Sequence, residues 1–168
     1  MNRKHYFMLI TSLILFANPT DRVSAQNDDK STVEATVRDY ERAVEEFDFD
    51  KQISLMLPSG KWIEEDSYPE AADYIDEWWL QAKKAKLRIA NRPHDFDIRV
   101  QGDVAWVIVF VDVATFVDNE AARAFTMRTH PNEREWVGHF VESEVLIKTT
   151  NGWRLALGHV SRLPKNNK

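Results

Sequence analysis

Residues 104–117 read Val-Ala-Trp-Val-Ile-Val-Phe-Val-Asp-Val-Ala-Thr-Phe-Val, apolar everywhere except Asp112 and Thr115. β-Branched and aromatic side chains suit an extended strand. A strand that is apolar on both faces needs cover on both. One face can meet helices or a cavity, and the other a second subunit, because a bare apolar strand invites aggregation. The hydrophobic period is helical up to about Lys86 and strand-like from there on. The chain therefore reads as α+β, with helices first and an antiparallel sheet after, the helices covering one sheet face.

The helical part begins at Ser31-x-x-Glu34, a capping box. Val33, Val37, Tyr40, Val44 and Phe47 follow on one helical face. Asp48 or Asp50 can cap a second, short helix carrying Phe49, Ile53, Met56 and Leu57, which Pro58-Ser59-Gly60 breaks. Lys61 to Glu65 is a short strand containing Trp62. Ser67-x-x-Glu70, with Pro69 in the first turn, opens a third helix whose buried stripe is Ala71, Ile75, Trp78, Trp79 and Ala82. Beyond Lys86, His94, Phe96, Ile98 and Val100 alternate with Asp95, Asp97 and Arg99, as in a strand with one wet face. Asp118 to Glu135 is a long polar loop with a short helix near Ala121 to Phe125. Trp136 to Thr149 and Trp153 to Leu163 are strands joined at Asn151-Gly152, a hairpin signal.

The chain start reads as an address. Arg3, Lys4 and His5 precede an apolar run from Tyr6 to Ala17, and Val23-Ser24-Ala25 fits signal peptidase. The run is shorter than the ~20 residues that span a bilayer. The expected organisation is a signal peptide over 1–25 cut after Ala25, a flexible leader over 26–31, one domain over 32–163 and a charged tail over 164–168. A secreted or periplasmic protein, off the membrane once the signal is removed, is expected. The formal net charge of −5 disfavours binding to nucleic acid. The absence of cysteine excludes disulfides, thiolate metal sites and cysteine nucleophiles.

Three segments carry a family resemblance: Gln101-Gly102-Asp103-Val104-Ala105-Trp106; Glu142-Ser143-Glu144-Val145-Leu146-Ile147-Lys148 followed by Asn151-Gly152-Trp153-Arg154-Leu155; and His159-Val160-Ser161. In this order, behind three helices, Thr32 to Leu163 resembles the nuclear transport factor 2 (NTF2)-like superfamily, closest to its SnoaL-like and DUF4440-type bacterial members. The resemblance implies a cystatin-like roll, a strongly curved antiparallel sheet wrapped over three N-terminal helices into a cone with an interior pocket. It also implies dimerisation through the outer sheet face. The superfamily hosts isomerases, dehydratases, cyclases, hydrolases and binding domains, so the fold does not name a reaction.

Strict alternation puts Trp153, Leu155, Leu157, His159 and Ser161 on one face of the last strand, read as the cavity side. His159 in an apolar pocket could carry protons. Asp112 shares a face with Trp106, Ile108, Phe110 and Phe116. It is either a cavity base needing a partner such as His139, His159 or Arg123, or a solvent-facing residue near the strand end. His159 and Asp112 are thus the candidate catalytic pair. Trp62, Trp106, Phe110, His139, Leu157 and Ser161 are the expected ligand lining. Alternation separates His94 from Asp95 and Asp97, and His139 from Glu142, so no metal site and no cofactor are expected. Three functions stay open: binding of a small apolar or amphipathic molecule in the cone, cofactor-free lyase, isomerase or hydrolase chemistry, and protein interaction through the sheet face.

Overall fold

The structure is a computed structural model that describes residues 19–64, 77–129 and 136–163. In chain order its elements are α1 (Pro19–Glu45), α2 (Phe49–Leu55), β1 (Met56–Glu64), α3 (Glu77–Lys84), β2 (Arg88–Gln101), β3 (Val104–Phe116), α4 (Glu120–Thr129), β4 (Trp136–Thr149) and β5 (Gly152–Arg162). The start of the expected third helix around Ser67 and Pro69, the tail from Pro164, and most of the expected signal peptide lie outside the described residues.

The first helix starts earlier than its capping box suggested. Residues 26–31, expected as a flexible leader, lie within α1, and the Ser31 hydroxyl donates to the Asp28 carbonyl at 3.0 Å inside it. The inward stripe is as the spacing required: Val33, Val37, Tyr40 and Val44 are buried. Asp48 caps α2, its carboxylate accepting from the Lys51 N–H at 3.0 Å. Pro58-Ser59-Gly60, expected as a helix breaker, instead forms an irregular stretch within β1. A side chain at Gly60 would stand 2.8 Å from the Leu155 carbonyl oxygen, so only glycine fits the neighbouring backbone there.

The five strands form one curved sheet in the order β1-β5-β4-β3-β2, with β1 parallel to β5 and the remaining pairs antiparallel. Bulges interrupt β2 between His94 and Asp97 and β5 opposite Val145 and Leu146. Each adds one residue, bends its strand and reverses which face the following residues present.

The helices cover the inner face. Val33, Val37, Tyr40 and Val44 of α1 pack with Ala105, Val107, Val109 and Val111 of β3, Leu146 of β4, and Trp153 and Leu155 of β5. Trp62 of β1 joins them, its ring stacked on Tyr40 with centroids 5.3 Å apart. α3 and α4 build a second, smaller core from Phe47, Ala82, Leu87, Ile89, Ala122 and Phe125. Trp78 and Trp79 belong to it, with Trp78 packed on Phe125 at 5.5 Å, so they serve packing. Among the described residues no helix is long and apolar enough to cross a membrane.

Candidate functional site in the cone interior

The structure corrects the expected cavity face of β5. Trp153 and Leu155 point inward, but Ala156 is the extra residue of the β5 bulge, since Val145 pairs with Leu157 and Leu146 with Leu155. Beyond it Gly158 is buried and Val160 packs on the core, while Leu157 and His159 are exposed on the outer face. Ser161 is on that face as well, its hydroxyl 3.5 Å from His159 Nε2. Strict alternation fails here because the bulge shifts the parity by one.

β3 keeps strict alternation. Its even-numbered residues Trp106, Ile108, Phe110 and Asp112 face outward and only the odd ones face α1. The outer face is therefore where Trp106, Phe110, Asp112, His139, Leu157, His159 and Ser161 all reside. Of the expected ligand lining, Trp62 alone is interior. Asp112 does have one of its anticipated partners: His139 Nδ1 lies 2.6 Å from Asp112 Oδ1, and His159 plays no part. That hydrogen bond is the main cause holding the Asp112 carboxyl below its usual range.

The interior holds a group that the sequence reading passed over. Glu41 projects from α1, and Glu142 and Glu144 project from the inner face of β4. All three are buried, and one carboxylate oxygen from each lies within 4.8 Å of the others. Asn91 of β2 donates from Nδ2 to Glu41 Oε2 at 2.9 Å. Glu41 is hydrogen-bonded to Glu142, whereas both oxygens of Glu144, which is only 2% exposed, have no hydrogen-bond partner among the described residues. Burial pushes the Glu41 carboxyl up to about 7, against the lowering effect of its bonds to Glu142 and Asn91. Burial, and then the nearby Glu41 charge, pushes Glu144 up to about 8. The sequence did carry a signal, because Glu142 and Glu144 alternate onto the same strand face as Leu146.

The neighbouring side chains explain the desolvation. Glu144 pairs with Gly158, which in turn pairs with Trp62, so one row across β4, β5 and β1 carries all three. The Trp62 ring lies over Gly158, at the end of that row. Two open recesses, of about 520 and 470 Å³, lie on the surface and contain none of the three glutamates.

The model of the SnoaL-like domain matches residues 33–165. The chain belongs to the SnoaL-like domain family. The structural neighbours of this SnoaL-like domain agree. An NTF2-like protein with a cystatin-like fold from Novosphingobium aromaticivorans superposes with a TM-score of 0.67 at 12% identity, covering 92% of this chain and 94% of that one. A ketosteroid isomerase-like protein from Erwinia carotovora gives 0.60 at 15% identity, covering 82% and 98%. The CaMKII hub of S. rosetta gives 0.61 at 17% identity, covering 80% and 96%. Identities this low establish the fold alone. None of the curated proteins matches the sequence.

Proposed function

We propose that this SnoaL-like domain is a cofactor-free proton-transfer enzyme of the isomerase or dehydratase kind, acting on a small amphipathic molecule at Glu41, Glu142 and Glu144. One observation carries the reading: three buried carboxyl groups converge inside the cone, two of them titrating near neutrality. Groups perturbed in this way mark acid–base sites. Glu41 and Glu144 titrate as a pair. At neutral pH it holds both a proton and a negative charge. The ionised member can take a proton from a C–H next to a carbonyl. The protonated member can return one to another carbon, or to a hydroxyl that departs as water. Because the three carboxylates are buried and neither surface recess reaches them, entry of the molecule requires the side chains around them to move.

Deuterium incorporation tests this. In D2O, β,γ-unsaturated and β-hydroxy carbonyl compounds are offered and followed by NMR. Glu41→Gln and Glu144→Gln should slow exchange by about a hundredfold or more. Asp112→Ala and His159→Ala, on the outer face, should leave it unchanged. Exchange that survives both glutamine variants rules out the cluster as the proton carrier. A wild-type protein that exchanges nothing, yet retains a ligand in native mass spectrometry, is a binding module instead.

The outer face supports a homodimer. Its register places Arg99, Trp106, Val145 and Leu157 in one row, with Asp97, Ile108, Ser143 and His159 in the next. Trp106 and Ile108 are 44% and 45% exposed at its centre, which a second copy would cover. The double change Trp106→Glu, Ile108→Glu should weaken self-association by about tenfold or more, read by light scattering on a sizing column. An unchanged dimer would place the interface elsewhere. Export with cleavage after Ala25 is part of the same proposal. Described core contacts begin at Val33, so cleavage would shorten α1 without removing any of them. Intact mass of the protein from its host should correspond to a chain starting at Gln26.

A further inference from the structure

We propose that His94, Asp112 and His139, on the outer sheet face, form a site for a zinc-class divalent ion, with Asp95 positioning His94. The side chains come from three adjacent strands. Asp112 of β3 is paired with His139 of β4, and its neighbour but one, Phe110, with His94 of β2. They converge on one atom: Asp112 Oδ1 is 2.6 Å from His139 Nδ1 and 3.6 Å from His94 Nε2. Ligand atoms on one tetrahedral zinc, with bonds of about 2.0–2.1 Å, stand roughly 3.3 Å apart. The two separations to Asp112 bracket that value, whereas the imidazole nitrogens of His94 and His139 stand more than 4.8 Å apart. All three side chains are about half exposed, so rotation about χ1 and χ2 can bring the two rings together around an ion.

The β2 bulge supplies the orienting group. It puts His94 on the outer face, away from Phe96, Ile98 and Val100, and holds Asp95 at φ 52°, a left-handed conformation that non-glycine residues seldom adopt. There Asp95 Oδ2 lies 2.9 Å from His94 Nδ1. With Nδ1–H donating to that carboxylate, the Nε2 lone pair is left facing Asp112. A carboxylate behind a histidine, fixing its tautomer and turning the other nitrogen to the ion, is the common supporting arrangement of metal-bound imidazoles. Strict alternation in the sequence separates His94 from Asp95, and the bulge brings them together. An ion at this point would replace the hydrogen shared between His139 and Asp112, His139 then carrying its proton on Nε2. Two imidazoles and a carboxylate favour zinc, nickel, cobalt or copper over magnesium or calcium. Three protein ligands leave a fourth position toward solvent for water.

The test uses the full chain in a non-coordinating buffer. Titration calorimetry with zinc chloride should give one ion per chain, and zinc should raise the melting temperature while magnesium does not. His94→Ala and His139→Ala should each weaken zinc binding about a hundredfold. Asp95→Asn, which touches no ion, should weaken it by about 10- to 100-fold. Circular dichroism of these surface variants should match the wild type. Cobalt should give visible absorption bands that His139→Ala abolishes. Absence of zinc binding overturns the site. So does zinc binding that persists in both alanine variants but is lost in Glu144→Gln, which would place the ion among the interior carboxylates.

Discussion

Glu144→Gln raises the melting temperature at pH 8 and changes it little at pH 5. The reason is linkage. Burial lifts the Glu144 carboxyl from 4.5 to about 8 and the Glu41 carboxyl from 4.5 to about 7. Below pH 4.5 both are protonated in the folded and unfolded chains, and ionisation costs nothing. As pH rises above 4.5 the unfolded chain releases these protons while the folded one retains them. Stability therefore falls, by up to ~1.4 kcal/mol per pH unit for each group. The Glu41 contribution levels off near pH 7 and that of Glu144 near pH 8. Glutamine has the same shape and never ionises, so it removes the Glu144 part of this loss. The expected gain at pH 8 is on the order of a few kcal/mol, roughly 5–10 °C for a chain of this size. Urea unfolding between pH 5 and 9 reads it as a flattened slope of stability against pH. Parallel slopes for the two proteins would mean that the Glu144 carboxyl is not the group losing its proton late.

The same carboxylates show what the sequence could and could not yield. The α+β order, the Asp48 cap, the buried stripe of the first helix and the strands β2 to β5 were legible because each depends on local spacing. So was the paired face of Glu142, Glu144 and Leu146, since β4 has no bulge before Leu146. What could not be read was the partner across the core. Glu41 sits one position after Tyr40 in a helix, and only the crossing of α1 over β4 turns three separate acids into one cluster. The expected inward face of His159 failed for a related reason. Its reasoning assumed that period two persists along β5, but the extra residue at Ala156 passes the inward role from Leu157 and His159 to Gly158 and Val160. Bulges have no fixed residue signature, and the second one, at Asp95, equally reversed the expected isolation of His94. The face of Asp112 was assigned correctly within its strand, but which side of the sheet that face joined depended on where α1 packs.

Gly158→Ala is expected to be among the most destabilising single methyl additions in this fold. Gly158 faces the core after the β5 bulge and pairs with Trp62 of the parallel strand β1. A Cβ built there would lie 2.2 Å from both Cε3 and Cζ3 of the Trp62 ring, far inside van der Waals contact. Relief by rotation is blocked, because the same ring stacks on Tyr40, which is fully buried under α1. The sheet must therefore separate from β1 or the indole must leave the core. Overpacking of this kind costs about 1–3 kcal/mol or more, and expelling a buried aromatic about 3–5 kcal/mol. The loss belongs to the pair, which a double-mutant cycle isolates. In a Trp62→Ala background, already destabilised by the cavity, Gly158→Ala should cost little, because the methyl then enters space the ring has vacated. Equal costs in the two backgrounds would show that the glycine is needed for its backbone and not for the indole above it. The cycle also bears on the glutamates, since a displaced Trp62 admits water to the row carrying Glu144. That hydration should bring the Glu144 carboxyl back toward the ordinary range, leaving Gly158→Ala with a shallower fall in stability between pH 5 and 8 than the wild type.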